Sequence, residues 1–396
     1  MRAINDFLDN LVRTEVHLPH LAIPAFQVCG YIGLAMATLL TMFLVSNLNL
    51  SPLVMAIIIL VAIVTFLGLV MATKIVTGVE RIVYYHHEIA VLLVTAILLW
   101  LLGKPTLVYL DVTILGIGLF LVCGRIGCLM VGCCHGRPYH FGVCYKQEHA
   151  IVGFTNYYVG IRLFPIQAVE SLWVLSVVVI GIVITLSSHI SGSTLAWYIV
   201  AYDLGRFCFE FMRGDPERPY YLEFSQPQWL SLLLICLVAV AELTGVLPFQ
   251  IWHILAMGCL AIAMLIIVLK RRLQSINKDK LLHPHHVKEV AKAIETISAS
   301  IAEKRSTYTW TVFPRENSNT MDIEVFCTSL GVQISAGKIY GPLETIDHFT
   351  LSYRDGNMTE SIARPLAQLI LQLKQATGSS QLLRGNQGVF HLLIQP

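Results

Sequence analysis

Residues 123–144 read CGRIGCLMVGCCHGRPYHFGVC, an apolar run that ends in arginines, histidines and a pair of adjacent cysteines. Guanidinium stays protonated and donates paired hydrogen bonds to phosphate oxygens, so arginines such as Arg125 at the ends of apolar segments can trap a phosphate. Gly124 and Gly127 beside it would let a headgroup or a second helix approach closely. An arginine near a membrane interface can also simply extend to water. Cys133, Cys134, His135, His140 and Cys144 form a second candidate set, soft metal ligands that His86 or Glu88 could complete. The stretch holds no CxxC pair, and adjacent cysteines ligate one zinc with difficulty, so no metal site is expected; a disulfide from Cys144 to Cys133 or Cys134 is the alternative if the loop faces an oxidising compartment.

Three other stretches carry ionisable groups inside apolar surroundings, where a charge costs at least ~3 kcal/mol. Asp203, Arg206, Glu210 and Arg213 are spaced three, four and three apart, which aligns them on one helical face. A self-neutralising ladder of ion pairs and a binding face weigh equally for that stripe. Gln167 and Glu170 add a polar face whose simplest role is hydrogen bonding between helices. The segment YYHHEIA, Tyr84 to Ala90, supplies histidines able to take a proton from a thiol or hydroxyl. Successive helical residues diverge by about 100°, so His86, His87 and Glu88 cannot all face one atom.

Composition dictates what positions these groups. Hydrophobic residues make up 56% of the 396, charged residues only 13%, and the mean hydropathy is +0.68. A chain of that kind belongs in a bilayer. Apolar stretches long enough to cross about 30 Å of hydrocarbon recur about eight times. They run over 23–45, 53–72, 88–102, 107–132, 165–186, 194–212, 228–245 and 249–269. The first 24 residues mix both charge signs and lack the pattern of a removable signal peptide, so they read as an interfacial segment. A net charge of +2 is too small to suggest nucleic acid as a partner. Of the ten cysteines, Cys29, Cys123, Cys128, Cys208, Cys236 and Cys259 fall inside the apolar stretches, where a thiol acts as a small hydrophobic residue.

After the last span the composition turns polar. Residues 273–285 form a basic linker and 286–396 a small soluble α+β domain, following a membrane domain over 1–272. Val287, Val290, Ile294, Ile297 and Ile301 recur at steps of three and four and predict one buried helical face. STYTWTVF, DIEVFC, GVQIS, FTLSY and VFHLLI read as strands, and a second helix is expected from near Pro365 to Gly378. The tail shows no nucleotide loop, triad spacing or metal motif, so no cofactor is expected. The fold class is therefore an all-α polytopic membrane bundle of about eight helices, followed by the small α+β domain.

Over roughly residues 31–245 the chain resembles the prolipoprotein diacylglyceryl transferase family. GRIGCLMVGCCHGR follows that family's spacing through Gly124, Arg125, Gly127, Gly132, Gly136 and Arg137. FPIQAVE is similar through Pro165, Gln167 and Glu170, and GRFCFEFMRGD through Gly205, Arg206, Phe207, Glu210, Phe211 and Arg213. His86 stands at the family's histidine and Tyr31 at its first-span tyrosine. Cys128 and Val131 stand where the family has asparagines, Cys133 where it has a glutamate, and HHE where it has a histidine followed by two glycines.

The resemblance implies transfer of the diacylglyceryl group of phosphatidylglycerol to the thiol of a lipobox cysteine in an exported prolipoprotein, forming a thioether at the bacterial cytoplasmic membrane. Arg125 and Arg206 would hold the phosphate, His86 would be the base, and Tyr31 would orient or donate. Gly124, Gly127, Gly136, Arg137, Gln167, Glu170, Glu210 and Arg213 would complete the substrate site. A related transferase with another acceptor, or a lipid- or metal-binding membrane protein without turnover, are the alternatives. The resemblance puts the active face outside the cytoplasm. Lysine and arginine cluster at the N-terminus, in alternate loops and after Leu269, which by the positive-inside rule puts the same loops and both termini inside. The side of the tail stays open at this point.

Overall fold

Long apolar windows free of internal proline have one way to satisfy their backbone in hydrocarbon, and the structure uses it throughout. The computed structural model describes residues 2–18, 21–78, 84–187, 190–215, 219–273, 278–307, 325–340, 345–354, 356–376 and 378–395. An amphipathic helix α1 (Arg2–Leu11) and a hairpin of β1 (Glu15–Leu18) and β2 (Leu21–Pro24) precede the bundle. The bundle then runs through α2 (Ala25–Asn47), α3 (Pro52–Thr77), α4 (Tyr84–Leu101) and α5 (Thr106–Val131). A cap follows, built of β3 (Pro138–Cys144), the short α6 (Gln147–Ile151) and β4 (Arg162–Leu163), with β3 paired antiparallel to β4. The chain returns through α7 (Ile166–Ser187) and α8 (Ser193–Glu210), a tight hairpin of β5 (Tyr220–Tyr221) and β6 (Phe224–Ser225), and then α9 (Gln226–Leu243) and α10 (Ile251–Leu273).

All eight expected membrane segments are helices. Among the described residues seven, α2 to α5, α7, α9 and α10, are long and apolar enough to span a bilayer. The eighth, α8, carries Asp203, Arg206 and Glu210 and packs against α7 and α9. Its charges are sheltered inside the bundle rather than offered to lipid. Buried Asp111 of α5 also has a structural task, since its two oxygens accept the N–H groups of Gly192 and Leu195 at 2.6 and 2.7 Å and close the first turn of α8. At the bundle's edge, the Glu242 carboxylate of α9 pairs with His253 of α10.

The tail comprises α11 (Lys278–Leu281), α12 (Pro284–Thr307), β7 (Val325–Cys327), β8 (Val332–Tyr340), β9 (Thr345–Tyr353), α13 (Glu360–Leu373), β10 (Ser380–Arg384) and β11 (Phe390–Ile394). Its strands form one antiparallel sheet in the order β10-β11-β9-β8-β7. Val287, Val290, Ile294 and Ile297 of α12 are buried as their spacing predicts. The tail differs from the sequence expectation in two elements. Helix α13 starts at Glu360, carries Pro365 in its interior and stops at Leu373 rather than at Gly378, and β10 is an additional strand. That strand is mostly exposed and lacks β-branched residues, so its pairing with β11 makes it a strand. The strand expected over 306–313 lies outside the described residues from 308 onward, and its first two residues end α12.

The tail docks on the cap. Leu8 of α1, Val12 just after it, Val143 and Tyr145 of the cap, and Leu281, Val287, Leu366 and Ile370 of the tail share one buried apolar cluster. Asp9 of α1 reinforces it by accepting from the Arg162 guanidinium at 2.8 and 3.1 Å and from Cys144 N–H at 2.8 Å. The N-terminus, the cap and the tail therefore lie on one side of the bundle, with the starts of α4 and α7 and the ends of α5 and α8. A reporter fused after Pro396 is thus expected to read the same side as a label placed in the cap, and opposite readings would undo this arrangement.

Candidate active site

Three guanidiniums from two elements and a loop converge on one carboxylate. Glu170 sits one turn into α7 and is 2% exposed. Arg125 Nε of α5 meets its Oε2 at 2.8 Å, and Arg206 of α8 donates to its Oε1 at 2.7 Å. Arg213 approaches the same oxygen at 3.8 Å and is itself 1% exposed. Arg206 also pairs with Glu210 one turn on at 3.1 Å. The 3-4-3 stripe read from the sequence breaks at its last member, because α8 stops at Glu210. Arg213 lies beyond the helix and takes Asp215 as a bidentate partner at 2.8 and 3.1 Å.

Glycines hold Arg213 in place. Residues 136 and 213 form an isolated antiparallel bridge, flanked by Arg137 N–H to Met212 O at 3.1 Å and Gly214 N–H to His135 O at 2.9 Å. Arg137 Nε also donates to Arg213 O at 3.2 Å. A Cβ on Gly136 would stand 2.3 Å from Phe164 O, and one on Gly214 would stand 2.3 Å from Gly136 O. Gly127 serves helix packing instead, facing Phe26 and Cys29 of α2, while Gly124 borders open space.

Beside the arginines lies a cluster that joins Cys133 and Cys134, two of the candidate ligands in the sequence, to a third thiol that was not among them. The thiols of Cys128, Cys133 and Cys134 come within 4.8 Å of one another. Cys128 had been assigned to the apolar lining because it falls inside a span. The end of α5 explains the difference: Gly132 closes the helix at φ +82, its N–H bonding Cys128 O at 3.0 Å, and the chain turns back so that Cys134 sits at φ +57. Gln167 of α7 fixes the turn by donating to Cys133 O at 2.9 Å. Hydrogen bonds from the thiols of Cys128 and Cys133, together with nearby Arg213 and Arg125, hold the Cys134 thiol well below its ordinary range. Cys144 points elsewhere, with its S–H on Gly160 O at 3.0 Å. His135 is buried and its proton affinity falls through desolvation, with Nδ1 donating to Gly136 O at 2.8 Å.

Arg125, Arg206, Arg213, Glu170 and Glu210 are thus brought together, with Gln167, Arg137 and Gly136 bracing the loop beside them. Tyr31 is not brought to them. It is 64% exposed on the outer face of α2, whose opposite face carries Phe26 and Cys29 against α5. At the start of α4, His86 is exposed, whereas His87 and Glu88 are buried toward the bundle. His87 packs on Phe66 of α3, with ring centroids 4.6 Å apart, and Tyr84 packs edge-on to Tyr202 of α8 at 6.0 Å.

Residues 13–244 match the family described as prolipoprotein diacylglyceryl transferase, which is more than half of the chain and includes every residue of the arginine cluster. The protein belongs to that family. Relatives within the prolipoprotein diacylglyceryl transferases include a phosphatidylglycerol–prolipoprotein diacylglyceryl transferase 2 of Clostridium perfringens, 28% identical over 127 residues, which is 32% of this chain and 47% of the relative. Another is the phosphatidylglycerol–prolipoprotein diacylglyceryl transferase of Clostridium tetani, 29% identical over 126 residues, 32% of this chain and 49% of the relative. A third, from Dehalococcoides mccartyi, is 30% identical over 130 residues, 32% of this chain and 47% of the relative. The chain spans about half the length of the curated relatives it matches.

Proposed function

We propose that this membrane protein transfers the diacylglyceryl group of phosphatidylglycerol to the cysteine thiol of a lipobox peptide in an exported prolipoprotein. The observation that carries the reading is the convergence of Arg125, Arg206 and Arg213 on Glu170 at the helix ends beneath the cap. A phosphate drawn to these guanidiniums would compete with Glu170 for the same donors, and charge that develops on the leaving glycerol phosphate would meet fixed cations in a sheltered site. Reaction forms a bond from the thiolate sulfur to the glyceryl carbon as that carbon's bond to the phosphate oxygen breaks. Glycerol phosphate departs with the electron pair. The active face is extracytoplasmic, where exported precursors present their cysteine, and the docked tail shares that side.

His86 is the base in this reading. Its exposure at the first turn of α4 leaves it open to an entering peptide, whereas buried His87 packs within the bundle. His86→Ala is expected to abolish transfer while phosphatidylglycerol binding persists; loss of both, or a larger effect in His87→Ala at unchanged thermal stability, would move the role.

The reaction is tested by incubating purified protein with phosphatidylglycerol vesicles and a lipobox peptide, with Arg125→Ala beside it. A thioether-linked diacylglyceryl mass shift absent from the control supports the reading. No adduct from protein that still binds phosphatidylglycerol would rule it out in favour of another acceptor or a lipid-binding role.

A further inference from the structure

We propose that Cys128, Cys133 and Cys134 hold a zinc ion through their three sulfurs and leave its fourth position for the acceptor thiol. The inference rests on the transfer reading above and names what prepares the thiol.

Geometry is the first support. Three thiolates around one zinc at about 2.3 Å stand about 3.8 Å apart in a tetrahedral arrangement. These three sulfurs already lie within 4.8 Å of one another, so small side-chain rotations would close the set. Adjacent cysteines can reach one ion where the chain turns back sharply, as it does here. Gly132 at φ +82 and Cys134 at φ +57 fold the chain back over the end of α5, and the left-handed conformation at Cys134 is one that a side-chain-bearing residue adopts at some energetic cost. The Gln167 bond to Cys133 O fixes that turn against α7.

Access and charge point the same way. Three protein ligands with an open position are the pattern of catalytic zinc, whereas structural zinc is closed by four. Cys133 is exposed while Cys128 and Cys134 are half-buried, so the turn that carries the set borders the protein surface. Zinc with three thiolates carries one net negative charge, and Arg125 and Arg213 both lie within electrostatic range of Cys134 to offset it.

The chemistry follows from the ligand set. A coordinated thiol is deprotonated outright. The acceptor S–H would bind the fourth position and release its proton to His86. The resulting thiolate sulfur would attack the glyceryl carbon, the carbon–oxygen bond would break, and its electron pair would leave on glycerol phosphate beside the arginines. Nothing is oxidised or reduced. The uncharged thioether is a poor zinc ligand and would depart, restoring the three-sulfur centre.

The test uses the full-length protein in detergent. Metal analysis is expected to find one zinc per chain, lost in Cys133→Ser, which is shown to be folded by monodisperse elution in detergent and native helical content. With cobalt(II) in place of zinc, the sulfur-to-cobalt charge-transfer absorption should rise by roughly a third on adding the lipobox peptide, the ratio of four thiolates to three. A peptide with serine for cysteine should leave it unchanged. No stoichiometric zinc, zinc retained by a natively stable Cys128→Ser, Cys133→Ser, Cys134→Ser triple variant, or an absorption indifferent to the cysteine peptide would each overturn the proposal. The two readings fail separately: a thioether adduct formed by zinc-free protein removes the zinc and keeps the transfer, whereas peptide ligation without any adduct keeps the zinc and removes the transfer.

Discussion

Replacing Glu170 by alanine is expected to abolish transfer and to destabilise the bundle at once. Its carboxylate accepts from Arg206 at 2.7 Å, forms an ion pair with Arg125 at 2.8 Å and lies 3.8 Å from Arg213, and all four side chains are buried. Deleting one member of a buried ion pair costs about 3–5 kcal/mol, because the partner charge stays buried without compensation. Here three guanidiniums lose a shared counter-charge. Arg206 keeps Glu210 and Arg213 keeps Asp215, so the main loss falls on Arg125, which would have to find water or swing away. Glu170→Gln keeps the shape and one acceptor oxygen, and should sit between alanine and the native protein in thermal midpoint. Thermal unfolding in detergent, read beside turnover, checks both effects. An alanine variant with native midpoint and native turnover would mean that Glu170 does not organise the arginines.

Gly136→Ala is the second large effect, and it acts through the backbone alone. The added Cβ would meet Phe164 O at 2.3 Å and Phe164 Cβ at 3.0 Å, closer than real contacts allow. Either Phe164 must retreat, which strains the start of α7 and with it Gln167 and Glu170, or the bridge to Arg213 must open. A shift of about 1 Å in a positioning element can cost roughly 100-fold in rate. The expected result is therefore a loss of transfer of about that size, with phosphatidylglycerol binding weakened as well. Gly124→Ala is the control, since a Cβ there meets nothing within 4 Å and the helix should gain slightly from alanine over glycine. Equal behaviour of the two variants would show that the close backbone approach at Gly136 does not position the site.

The two predictions mark where reading the sequence stops being enough. Glu170 and the arginines were visible because charge is rare in apolar helices. Which arginine meets which carboxylate was not, since that depends on how α5, α7 and α8 pack. The stripe from Asp203 to Arg213 shows the limit of periodicity: it holds for Arg206 and Glu210 and fails once the helix ends. Likewise, helical geometry told that His86, His87 and Glu88 cannot all face one atom, and only the packing of α4 on α3 and α8 put His87 and Glu88 inward and left His86 outside.

By itself the sequence determined the eight helices, the polar tail with its buried α12 face, and the family, because hydropathy, helical spacing and short motifs are properties of neighbouring residues. Tertiary structure alone decided that the tail docks on the cap, that Tyr31 faces away from the cluster, and that Cys128 joins Cys133 and Cys134. These depend on contacts between segments far apart in the chain, or on a turn whose left-handed residue no local propensity favours. Burial among particular neighbours, which no single stretch encodes, turned a scatter of charged and thiol side chains into one site.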